Sequence, residues 1–195
     1  MSNPYDRPPL ASKGDDDVND IYRSVGKALS TWEALETAQA SLYGFLIQNS
    51  YGVAAAVYGL ANNAQAKRDM ITTALEWVLS ENKDLTREIT TAVNMTVKLS
   101  ARRADIAHGR ALSLTADGRE AGCFLIPGIH ATKHVKTMDL LNRPKGTVKT
   151  LKVFVETMFS YAYTSDQILA FADHFAAHEH HISLLREKLK AARSK

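Results

Sequence analysis

Between residues 21 and 46, apolar side chains recur at steps of three and four: Ile21, Val25, Ala28, Trp32, Leu35, Ala38, Leu42 and Leu46. That spacing fits a 3.6-residue turn, which brings every third and fourth side chain to one face, and does not fit the two-residue alternation of a strand. A stripe of this length has to be buried against other elements, so the chain is committed to helix packing. It predicts a long amphipathic helix ending near Asn49. Asp15, Asp16 and Asp17 stand before it, where carboxylates meet the positive end of a helix dipole. The pattern "STWE" from Ser30 is a capping box and permits a bend or restart within the helix.

Further helical segments follow. "YGVAAAVYGLANN" reads as a short helix closed by asparagines, and "AQAKRDMITTALEWVLS" as another, with Met70, Ala74, Leu75, Trp77 and Val78 as its candidate core. A fourth begins near Lys83 and carries Leu85, Ile89, Ala92, Thr96 and Leu99 on the face that Arg103 then closes. An arginine in that place either snorkels out of a bundle or points into a cleft. After Gly109 the pattern changes: "ALSLTADGREAGCFLIPG" holds two extended runs about Asp117-Gly118, a hairpin signal. Two strands alone are marginal, so the hairpin is expected to lie against helices.

Residues 128–150 are irregular and basic, with Lys133, Lys136, Arg143, Lys145 and Lys149 against Asp139. They read as a solvated loop or as part of a positive surface. "LKVFVETMFSYAY" is an extended or short helical connector. "TSDQ" is a capping box that pairs Thr164 with Gln167 and opens a last helix bearing Ile168, Phe171, Phe175, His178, Ile182, Leu185 and Leu189. The expected fold is mainly α: an up-and-down bundle of four to five helices with a small β-hairpin inserted before the last. Residues 1–15 are expected to be a disordered tail, and 16–195 a single domain with the hairpin and basic insert at about 110–160.

Composition adds exclusions. Hydrophobic residues make up 45% and charged residues 23%, as in a globular protein. A formal charge of +3 does not by itself argue for nucleic acid. One cysteine, Cys123, cannot form an internal disulfide. The first twenty residues lack the apolar core of a secretory signal, and no stretch approaches the roughly 18–20 apolar residues of a membrane span. A cytoplasmic protein without membrane contact is the expectation.

The residues with chemistry gather at the end of the fourth helix, in "ARRADIAHGR". On one regular helix, Arg103 and His108 would stand about 140° apart. Gly109 is placed to end the helix there, and a two-fold axis would bring the same patches of two chains together. "RADIAHG" (Arg103 to Gly109) resembles the R-x(4–6)-H signature of the HEPN superfamily, the higher-eukaryote and prokaryote nucleotide-binding domains. The order of elements over residues 17–109 is similar too, and Thr164 to Ala192 resembles the closing helix of that family.

The resemblance implies a compact helical dimer. In active members the arginine and histidine of both chains line a cleft that cuts RNA without metal. Arg103 would then bind phosphate and His108 would be the general acid or base. Apart from the resemblance, Arg102, Arg110, Lys133 and Lys136 are candidate phosphate or RNA contacts on their charge. The chemistry is sound on its own terms. An imidazole can exchange a proton with a 2′-hydroxyl or a leaving oxygen, and a guanidinium can stabilise charge gathering on phosphate. One departure stands out: Ala104 occupies the place where many active members carry a polar residue, and Asp105 would be a substitute for it. With Arg102 as the motif arginine instead, the spacing to His108 is five residues and Arg103 follows it. The alternative reading is a catalytically inactive helical module that dimerises or binds a partner protein.

"HFAAHEHH" places His174, His178 and His181 along one side of the last helix, a weak metal candidate without ligands from other segments. His178 falls in the apolar stripe, as a core or interface histidine would. Ser100 and Cys123 have no base at a recognisable spacing, no glycine loop for phosphate is present, and no metal or cofactor is expected. The tail "LLREKLKAARSK" is basic along its polar face: a solvated helix end or an RNA contact.

Overall fold

A computed structural model describes residues 3, 5–79, 81–116, 119–128 and 159–193. The long stripe forms α1 (Val18–Leu46), which passes through Ser30 without a restart. It is followed by α2 (Tyr51–Gly59), α3 (Ala64–Val78), α4 (Lys83–Ala107), the strands β1 (Gly109–Ala116) and β2 (Arg119–Pro127), and α5 (Ser165–Arg193). Among the described residues the protein is therefore mainly helical, five helices with an antiparallel hairpin before the last. None of these helices is long and apolar enough to cross a membrane.

Two compact units divide the chain: Met1–Leu29 with Arg102–Ala172, and Ser30–Ala101 with Asp173–Lys195. In the second, the apolar faces of α1, α4 and α5 meet as their spacing requires. Leu35, Leu42, Leu46, Leu85, Ile89, Leu99, Phe175, Ile182, Leu185 and Leu189 are buried. Trp32 of α1 packs edge-on against Phe175 of α5, with ring centroids 5.1 Å apart. The last carbonyls of α1, at Phe45 and Leu46, accept from Arg193, so part of the basic tail caps a helix whose own last turn holds no cation. On α3 the buried face is Ile71 and Leu75, followed by Leu79, which places Trp77 on the far side at 84% exposure. The expectation of a buried Trp77 is thus corrected: two residues from Leu75 is about 200° around a helix.

The first unit is built around the hairpin. β1 pairs with β2 from Gly109↔Pro127 to Ala116↔Arg119, with a bulge between Leu114 and Thr115 opposite Gly122. The other edge of β2 is also used. Cys123 exchanges backbone hydrogen bonds with Asp15, and Leu125 does so with Tyr163. Leu114, Phe124, Ile126 and Ala162 form a small core onto which Leu10, Ala11, Leu112, Ala121 and Phe159 pack. Residues of the segment expected to be a disordered tail are thus in contact with the hairpin.

The aspartate triplet divides its roles. Asp17 accepts from the Asn19 amide at the start of α1. The Asp15 carboxylate instead accepts from the Ser165 amide at 2.8 Å, at the first turn of α5. That turn also carries the expected capping box, Thr164 N–H to Gln167 Oε1 and Gln167 N–H to Thr164 Oγ1.

Candidate functional site

α4 ends at Ala107, and its last turn is held from several directions. The final carbonyls of a helix have no partner within it. Here the Ala104 carbonyl accepts from the His108 amide at 3.1 Å, and the Asp105 carbonyl from the Tyr161 hydroxyl at 2.8 Å. The His108 carbonyl in turn accepts from the Gly128 amide at 3.1 Å. The backbone of His108 is therefore pinned at both its amide and its carbonyl, while its side chain is exposed. Gly109 does not act as a left-handed helix terminator. It opens β1, and a Cβ there would lie 2.6 Å from Leu125 Cγ. A Cβ on Gly128 would meet the His108 carbonyl oxygen at the same distance, so the glycines flanking this turn permit close approach.

Three residues before the exposed histidine, a buried charge cluster is centred on Asp105, whose side chain is 3% exposed. Arg7 grips the carboxylate with both arms of its fork, Nε to Oδ2 at 3.0 Å and NH2 to Oδ1 at 2.9 Å. The Tyr163 hydroxyl donates to Oδ2 at 2.9 Å, and an Arg102 nitrogen stands 3.3 Å from the same oxygen. Tyr161 and Tyr163 stack at 4.7 Å, and the Arg7 guanidinium lies over the Tyr161 ring at 5.1 Å. Burial, reinforced by the Asp105 carboxylate, pushes both phenols well above the usual tyrosine range, so each hydroxyl keeps its proton and donates. A carboxylate taken this far out of water is tolerated because charged and neutral donors together satisfy its oxygens.

The motif residues are thereby separated. Arg102 is buried against Asp105, and its Nε has no acceptor among the described residues. Arg103 is half-buried, while His108 and Arg110 are exposed. Asp105, considered from sequence as a substitute polar group for the site, faces inward. Lys133, Lys136, Arg143, Lys145, Lys149, the Asp117-Gly118 turn and most of the 151–163 connector lie outside the described residues. Sequence reasoning did not single out Arg7, Tyr161 or Tyr163. Arg7 sits in a stretch without periodicity, and the two tyrosines in an apolar run of ambiguous type.

The histidines of α5 belong to the second unit. His178 is 5% exposed, and its Nε2 lies 3.0 Å from the Ala92 carbonyl and 2.9 Å from Thr96 Oγ1. A carbonyl oxygen only accepts, so Nε2 carries the proton. Thr96 also accepts from Gln39 Nε2, and Gln39 Oε1 accepts from the Tyr58 hydroxyl. The result is one buried polar chain across α5, α4, α1 and α2. His174 is exposed and His181 half-buried, its ring 6.1 Å from that of His178. Among the described residues no group of three or more His, Cys, Asp or Glu is placed to hold a metal ion.

No family model, curated protein or solved structure matches this chain.

Proposed function

We propose that this chain is a HEPN-like protein that binds RNA or a nucleotide and acts as a metal-independent endoribonuclease through Arg103 and His108, completed by the same residues of a second copy. The observation that carries the reading is the turn at His108: an exposed imidazole on a backbone fixed at both ends, one residue beyond the helix that bears Arg103. Such a group can reach a 2′-hydroxyl or a leaving oxygen without first being ordered. Arg103 would stabilise charge on the phosphate, with exposed Arg110 as an outer contact. Helical hydrogen bonding persists up to the His108 amide. Arg103 and His108 then leave the helix about 140° apart, which favours a site completed across a two-fold axis over one built within a single protomer.

The test is cleavage of single-stranded RNA in the presence of a chelator. His108→Ala should abolish cleavage while leaving the fold intact by circular dichroism, and sedimentation should find a dimer. Unchanged cleavage by His108→Ala, or a strict monomer, overturns the reading.

A second reading, an inactive partner-binding module, is favoured by α2. That helix carries no charged residue and leaves Tyr51, Val53 and Val57 exposed, with Leu60 beyond its end. Exposed apolar side chains grouped on one short element mark interaction surfaces in soluble proteins.

A further inference from the structure

We infer that Arg7 is a positioning residue for the His108 turn, and that the segment before α1 is a clasp which keeps the end of α4 in working geometry. The inference rests on the functional reading above, but its structural part can be decided separately. Arg7 lies 98 positions from Asp105 in sequence yet holds both oxygens of its carboxylate. Asp105 is two residues after Arg103 and three before His108, so a shift of its backbone displaces both. Arg7 acts on this turn by two routes. Its fork fixes the Asp105 side chain, and its guanidinium lies over the Tyr161 ring, whose hydroxyl caps the Asp105 carbonyl.

The segment is anchored along its length beyond Arg7. The Pro9 carbonyl accepts from Gln167 Nε2, the Gly14 amide donates to the Ala121 carbonyl, and Asp15 pairs with Cys123. These anchors fix where Arg7 starts from, so its reach to Asp105 is built into the fold. A bidentate guanidinium sets both distance and plane of a carboxylate, which a point charge does not. Arg7 itself has no part in the proton transfers.

The experiment uses the full-length chain with Arg7→Ala and Arg7→Lys, each checked for folding by its melting temperature. It reads kcat and KM for RNA cleavage together with the His108 amide and imidazole NMR resonances. Arg7→Ala should lower kcat by about ten- to a hundred-fold, the range that misplacement of a reacting group produces, with KM within about two-fold. Arg7→Lys should recover part of the rate, and the His108 resonances should move in the alanine variant. Unmoved His108 resonances in Arg7→Ala overturn the inference whatever the rate does, and so does a rise in KM at constant kcat, which would make Arg7 a substrate contact. If His108→Ala leaves cleavage intact, the functional reading fails instead. The resonances alone then decide: displaced, the clasp stands; unmoved, it falls.

Discussion

Gly122 holds φ at +98°, in the region that L side chains rarely adopt, and a Cβ there would lie 2.8 Å from the Gly14 Cα. Gly14 faces the same restriction from the other side, since its own Cβ would meet the Cys123 carbonyl oxygen at 2.5 Å. The bulge that turns β2 and the approach of the N-terminal segment therefore need both glycines. Gly122→Ala should destabilise the protein by at least about 1–3 kcal/mol, the cost of a residue held in such a backbone region, read as a lower urea midpoint. An unchanged midpoint would mean that this approach does not exist in solution. The clash partner of Gly122 is 108 positions away, and no local pattern in the sequence records it.

At the scale of elements, capping and packing follow rules that local sequence does record. The Thr164 and Gln167 box forms as its spacing requires, and the whole apolar stripe of α5 from Ile168 to Leu189 is buried. What sequence left open was His178 within that stripe. Burial lowers its pKa from 6.5 to about 4, against the pull of the Ala92 carbonyl and helped by neighbouring His181. In the unfolded chain the imidazole takes up a proton near pH 6.5, whereas the folded protein resists until about 4. Between those values the unfolded state binds more protons, so stability falls as the pH falls, by up to about 3 kcal/mol. Chemical denaturation from pH 7 to pH 4 should resolve that loss, and His178→Gln should remove this component. If the variant follows the wild-type pH curve, His178 is not the group that resists protonation.

For the molecule as a whole, the charge balance is modest and the described cations are largely committed. Arg102 and Arg7 hold Asp105, Lys67 holds Glu36, Lys188 holds Glu88, and Arg193 caps α1. RNA binding through the end of α4 would then rest on few phosphate contacts. Retention of RNA should fall between low and moderate salt with a slope of about two to four released counterions per protomer. A salt-independent background would favour the partner-binding reading instead.

The repeat of apolar residues and the Thr164–Gln167 capping pair were enough to indicate four to five helices with a hairpin before the last, and five are found among the described residues, because each signal depends on neighbours within one or two turns. The sequence also singled out Arg103 and His108 as candidates, since both fall in one short motif. Only tertiary structure decided that Asp105 faces inward, that Arg102 is tied to it, that Asp15 caps α5, and that Arg7 is bound at all. Each of those depends on groups some three to 150 positions apart meeting at buried or partly buried positions. There an ion must find its partner or not be buried, and composition and periodicity carry no information about which partner that is.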